Sequence, residues 1–202
     1  MAMTDDVSGA ERQKRASAHD RLLEAAAQLF YAEGIHATGI DTITAAANVA
    51  KKSLYNNFVS KAGLVTAYLE DRHACLIGLY EARLRLARSP RDRVLAMFDA
   101  YLDHAGLSRE NNFRGCGMLN AAAELPTGHP GRLAVARHKQ QIQDLLHDSL
   151  KAVHPQDPEH LEQLAEHLSF LLEGSMVRAG LEGHDALLRR ARALADSMLA
   201  QA

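Results

Sequence analysis

The chain contains no tryptophan, two cysteines and five prolines among its 202 residues. Two cysteines, Cys75 and Cys116, are too few for a disulfide framework, and neither sits in a CxxC pair that would hold zinc or a redox couple. A reduced, cytoplasmic setting fits that usage. Long apolar runs are also missing. Nothing approaches the roughly 18 apolar residues of a membrane span, and the polar start MAMTDDVSGAERQKR lacks the apolar segment of a signal peptide. No membrane partner is expected. Nor is there an excess of one charge sign. The formal net charge is -2, so any contact with nucleic acid must come from a local patch.

What is present is alanine, leucine and helical spacing. Apolar residues make up 47% of the chain, enough for a folded core, and the composition favours helices over sheets. Ser17 followed by Asp20 resembles a capping box, after which Leu22, Ala26, Leu29, Phe30 and Glu33 follow a helical period up to Gly34. Short helices are expected from about Ile40 to Ala47 and from about Lys51 to Phe58. Asn48 lies between them, and it tolerates the left-handed conformation a tight turn needs. Ser60 is placed to cap a fourth helix from Lys61 past Leu79, with Cys75 or Leu76 on its apolar stripe. Pro90 opens a fifth, Met118–Leu125 forms a sixth ended by Pro126, and His129–Val153 a seventh. The last two span about Pro158–Ala179 and His184–Ala200. The reading is all-α, with about nine helices. Its expected divisions are a disordered arm over 1–15 and two helical parts over 16–62 and 63–202.

The second and third helices have the size and spacing of a helix-turn-helix. From Thr42 to Leu69 there are three lysines, Lys51, Lys52 and Lys61, and no acid. Phosphates repel carboxylates and attract lysines, while amides and hydroxyls bond to base edges and backbone. Val49, Leu54, Phe58 and Val59 are the core candidates here. Leu54 and Phe58 would hold the third helix down, leaving Lys51, Lys52, Ser53, Tyr55 and Asn56 facing outward.

The stretch RLLEAAAQLFYAEGIHATGIDTITAAANVAKKSLYNNFVSKAGLVTAYL resembles the N-terminal domain of TetR-family transcriptional regulators over about fifty residues, Arg21 to Leu69. The signature is Leu54-Tyr55-x-x-Phe58-x-x-Lys61, preceded by Leu29–Phe30, Gly34, Thr38, Ile43 and Ala47. The resemblance implies a partner and roles. The partner is a double-stranded DNA operator. Thr38 would contact a phosphate, Lys51, Lys52, Ser53, Tyr55 and Asn56 would meet bases or backbone, and Asn57 and Lys61 would hold phosphates. Arg12, Lys14 and Arg15 extend the footprint or belong to a disordered tail. Three positions depart from the pattern: Asn48 replaces a turn glycine, Ala50 a frequent serine cap, and Lys52 a small residue. Lys52 either reaches a base or holds the helix off the groove.

The resemblance further implies an effector pocket within helices four to seven and a homodimer built from the last two helices. It thereby makes 16–62 a DNA-binding domain and 63–202 a ligand-binding and dimerisation domain. A partly apolar small molecule would meet Met97, Phe98, Tyr101, His104, Cys116, Met118, Leu119, Asn120 and Phe170. Asn120 and Glu124 share a helix face and orient a ligand or pair with arginines such as Arg178. Cys116, between two glycines at a helix start and near Arg114, opens a second reading, a thiol sensor of electrophiles or oxidants. A third is a dimeric binding protein without DNA affinity. His160 with His167, and His138 with His147, raise a metal question, but no HxxxH with partner acids stands out. No nucleophile motif or phosphate loop is present, so neither an enzyme nor a cofactor is expected.

Overall fold

Serine hydroxyls set three of the helix starts. Ser17 Oγ accepts from Asp20 N at 3.1 Å and opens α1, Ala18–Glu33. Ser60 Oγ accepts from Gly63 N at 3.0 Å and opens α4, Lys61–Leu84. Ser89 Oγ accepts from Asp92 N at 3.1 Å and opens α5, Pro90–Leu107. The remaining elements are α2, Ile40–Ala46, α3, Lys51–Phe58, α6, Gly117–Ala123, α7, Pro130–Leu150, α8, Pro158–Glu182, and α9, Ala186–Leu199. The structure, a computed structural model, describes residues 17–107, 113–153 and 158–200; Arg12, Lys14 and Arg15 and most of the HPQDP turn lie outside them. Among the described residues there are nine helices and no strand, so the fold is all-α. Helix ends differ from the sequence reading by up to about three residues, where hydrogen-bonding fades.

The chain divides into two units, between Tyr68 and Leu69, inside α4. In the first unit α1 packs on both α2 and α3. Leu22, Ala26, Phe30, Ile43, Leu54, Leu64 and Tyr68 form its buried centre, with the Phe30 and Tyr68 rings edge to face at 5.6 Å. Arg21 Nη1 donates to Asn48 O at 3.2 Å, tying α1 to the α2–α3 turn. Asn48 takes the left-handed conformation expected of it, with φ 51°.

A second left-handed residue follows α3. Val59 has φ 61° and is 82% exposed, so it is not a core residue; the chain must reverse here, and the reversal aims its side chain at solvent. The same reversal brings α4 against the end of α3. A Cβ at Gly63 would lie 2.1 Å from Phe58 O, which only glycine avoids.

In the second unit α8 packs against α7 and α9, and α5 against α7 and α9. Val94, Met97, Phe98, Ile142, Leu146, Leu168, Leu172 and Ala195 lie in its core. Ion pairs flank that core: Arg192 Nε to Asp99 Oδ1 at 2.5 Å, Arg91 Nε to Asp196 Oδ1 at 2.6 Å and Arg83 Nε to Asp103 Oδ2 at 2.6 Å. Cys75 is half-buried rather than core, because Leu76 and Tyr80 take the inward positions of α4. The loop ahead of α6 lies directly on the backbone of α8. A Cβ at Gly180 would sit 2.6 Å from Gly115 N, and Gly115 itself has φ 77°.

Candidate functional site

The third helix presents the face expected of it. Leu54 and Phe58 are buried, while Lys51, Lys52, Tyr55, Asn56 and Asn57 are exposed and Ser53 is half-buried. Ala50 stands at the N-cap and supplies no side-chain bond, as its methyl group requires. Asn57 Nδ2 donates to Ser53 O at 2.7 Å, which holds the amide along its own helix.

Two of the expected phosphate contacts are spent internally. Thr38 is fully buried, and its Oγ1 donates to Gly34 O at 2.6 Å, closing the end of α1. Its hydroxyl therefore does not face a phosphate. Lys61 Nζ donates to Ile35 O at 2.6 Å and pins the IHATG loop, so it too is engaged within the unit. Sequence spacing missed a third feature. Asp41 of α2 lies 2.8 Å from Lys51 Nζ, with both side chains more than half exposed. The acid-free stretch begins one residue after Asp41, and the fold returns that carboxylate to its edge. The pairing raises the Lys51 pKa.

The second unit holds a small cavity. Its free volume is about 20 Å³, close to what one water needs. Arg72 and Leu76 of α4, Tyr101 and His104 of α5, Cys116, Gly117 and Met118, His138 and Lys139 of α7, and Met176 of α8 line it. Four of the expected effector residues, Tyr101, His104, Cys116 and Met118, are thus brought together. Met97 and Phe98 do not line the cavity; they belong to the core, 1% exposed or less. Leu119 and Asn120 are half-buried on α6, with Asn120 Nδ2 donating to Arg114 O at 3.1 Å. Phe170 is 63% exposed on another face of α8 and lines a groove with Leu171, Leu187 and Leu194. Arg178 approaches Glu182 at 3.6 Å, the acid one turn along its own helix.

The polar centre of the cavity is Lys139. Its Nζ lies 2.9 Å from Glu173 Oε1, 3.6 Å from Cys116 Sγ and 3.5 Å from Tyr101 OH. Tyr101 OH donates to Glu173 Oε1 at 2.6 Å. Burial opposes the Lys139 charge, but Cys116 and Glu173 outweigh it and the pKa is raised. Burial, reinforced by Glu173, raises the Tyr101 phenol well above its usual range. Burial first, then the cations Arg72 and Lys139, lowers His104 to about 4. Burial and Lys139 lower His138 to about 3. His138 Nδ1 lies 2.7 Å from His73 Nδ1, a contact that needs one protonated and one bare nitrogen. Among the described residues no group of three or more His, Cys, Asp or Glu is placed to hold a metal.

The sequence reading missed Arg72, Lys139 and Glu173, and weighed His138 only as a metal ligand. One signal was available: Val135, His138 and Ile142 follow one helical stripe, as do Ser169, Glu173 and Met176. A titratable residue on such a stripe marks a buried polar cluster.

The family of the chain that surrounds this exposed basic helix comes from comparison with known proteins. Residues 22–68 match the family model described as bacterial regulatory proteins, tetR family, and residues 90–195 match the tetracyclin repressor-like C-terminal domain. The chain belongs to the TetR family. A TetR-family transcriptional regulator from Streptomyces coelicolor superposes with a TM-score of 0.80 at 32% identity, over 91% of this chain and 94% of that one. Two curated relatives from Mycolicibacterium smegmatis match over shorter spans. The HTH-type transcriptional repressor KstR2 is 36% identical over 42% of each chain. The HTH-type transcriptional activator FasR is 35% identical over 46% of this chain and 42% of its own. The matches therefore span less than half of those relatives' length. TetR-family members are DNA-binding transcription regulators and not enzymes, and this chain is one of them. No helix among the described residues is long and apolar enough to cross a membrane.

Proposed function

We propose that this TetR-family chain is an effector-responsive repressor. It binds a two-fold operator as a homodimer and is released when a small molecule enters the cavity of the second unit. The observation that carries the reading is the exposed face of α3, where Lys52, Tyr55 and Asn56 stand clear of the buried anchors Leu54 and Phe58. Asn57 and Ser53 are the supporting polar contacts. Lys51 contributes in so far as it leaves Asp41. A bare N-cap at Ala50 leaves the first amides of α3 without a side-chain partner of their own, which suits a phosphate.

The partner copy would dock on α8 and α9. Phe170, Val177, Leu181 and Leu194 there are between 46% and 84% exposed, an apolar face that an isolated chain would leave in water. A two-fold dimer sets its recognition helices about 34 Å apart, one turn of DNA. An effector then acts by population shift, favouring the state whose recognition helices miss successive grooves. Fluorescence anisotropy on the DNA upstream of the protein's own gene tests the reading. Sequence-selective binding is expected, and Lys52→Ala with Tyr55→Ala should abolish it. If the double variant binds as well as the parent, α3 is not the reader. A promoter–reporter fusion gives the sign of regulation.

The placement of Cys116 Sγ on the cavity wall, 3.6 Å from Lys139 Nζ, supports a second reading, a thiol-sensing regulator. Cys116→Ser separates the two. A sensor loses its response to electrophiles with this change, whereas a reversible effector still releases DNA.

A further inference from the structure

The cavity of the second unit is unevenly provided. Among the described residues its wall carries the cations Arg72 and Lys139, with His104 and His138, and no carboxylate. Among the described residues, two acids that answer these cations stand behind the wall. Glu173 holds Lys139 from within the helix layer, with both carboxylate oxygens within 2.9 Å of Nζ. Asp71 holds Arg72 through a single oxygen, Oδ2, with side chains 38% and 34% exposed. An ion pair so exposed contributes little of itself, so the Asp71 side of Arg72 is readily exchanged for another carboxylate. Lys139 likewise has contacts to give up, since its bonds to Cys116 Sγ and Tyr101 OH are long, at 3.6 and 3.5 Å. Cationic influence reaches across the cavity. Arg72 and Lys139 both act to keep His104 neutral. Beyond the polar groups the wall turns apolar at Leu76, Met118 and Met176.

We infer that this cavity is the subsite for the carboxylate of an otherwise apolar effector, with Arg72 and Lys139 as its counter-charges. The inference rests on the effector-responsive reading above and names the ligand class for it. A planar two-oxygen anion matches a guanidinium on one side and an ammonium on the other. A neutral polar head would leave both cations with no better partner than they already have. The free space of about 20 Å³ holds about one water, so even a carboxylate head must enlarge it. An attached tail must part α4 from its neighbours α5 and α7, so occupancy and helix displacement become one event.

The test uses the full chain and two probes of equal size, hexanoate and hexanamide, in isothermal titration calorimetry. Hexanoate should bind at least about tenfold more tightly than hexanamide. Arg72→Gln should remove that advantage while changing hexanamide binding by less than about twofold. Lys139→Gln serves as the second variant, although the comparison of probes on the unaltered protein stands without either. Equal binding of the two probes, or no binding of hexanoate, overturns the inference. Operator affinity is measured on the same samples. Operator binding without hexanoate binding sinks the subsite and leaves the regulator intact. Hexanoate binding that leaves operator affinity unchanged sustains the subsite and refutes release by this ligand.

Discussion

Acid should unfold the second unit well before its carboxylates titrate. His104 and His138 are held to about 4 and about 3 in the folded chain, against 6.5 for a free imidazole. Both pKa values are depressed, so the unfolded chain binds more protons between those limits. Stability is fully present above about pH 6.5 and is lost as pH falls toward 4. Integrating the difference in bound protons from pH 7 to pH 5 gives about 2 kcal/mol per imidazole, or about 4 kcal/mol for the pair. That is a large share of the 5–15 kcal/mol that holds a typical domain folded. Urea melts at pH 7, 6 and 5, followed by circular dichroism and tyrosine fluorescence, read it directly. With an m-value of about 2 kcal/mol/M the midpoint should fall by roughly 2 M across this range. His138→Gln, which cannot titrate, should halve the dependence, and adding His104→Gln should remove most of it. A midpoint that is flat from pH 7 to pH 5, or one that falls equally in the double variant, would refute the assignment of buried neutral imidazoles.

Three further outcomes are expected. Val59→Gly should stabilise the first unit by about 1 kcal/mol in thermal melts, because a β-branched residue is strained at positive φ and this one buries almost nothing; destabilisation would mean the turn is not strained. Gly180→Ala should cost about 1–3 kcal/mol, since its Cβ meets the backbone of Arg114 and Gly115 rather than a movable side chain; a neutral result would show that the loop lifts freely from α8. Lys139→Met should cost about 3–5 kcal/mol by leaving Glu173 without its cation, and Lys139→Met with Glu173→Leu should recover most of it; no recovery would mean that Lys139 acts through packing alone.

The helices were legible because each carried a local signal. Ser17, Ser60 and Ser89 cap where a hydroxyl precedes an apolar period, Asn48 turns the chain, and Leu54 with Phe58 marks an inward face. The outward face of α3 followed from the same period. Local pattern failed where a side chain reaches across the fold. Thr38 and Lys61 sit in a stretch whose resemblance implied phosphate contacts, yet Thr38 bonds back to Gly34 and Lys61 reaches 26 residues to Ile35. No spacing reports such a choice. Val59 looked apolar and therefore buried, but the left-handed turn overrode composition. The cavity was half visible, through Tyr101, His104, Cys116 and Met118. Its charged half was not, because Lys139 of α7 meets Glu173 only when α7 and α8 converge.

The pairing of Asp41 with Lys51 has a consequence for how tightly DNA binding depends on ionic strength. Closing a lysine on a phosphate expels condensed counter-ions, and each such contact adds about 0.9 to the slope of log affinity against log salt. A lysine that arrives with its own carboxylate brings little net charge to the backbone and expels correspondingly few ions. In the reading proposed above, Asp41 would act as a built-in attenuator, trimming non-specific attraction along the duplex while leaving Lys51 in place for a base edge that competes for it. On that reading the regulator would give up less of its affinity when the ionic strength of its surroundings rises.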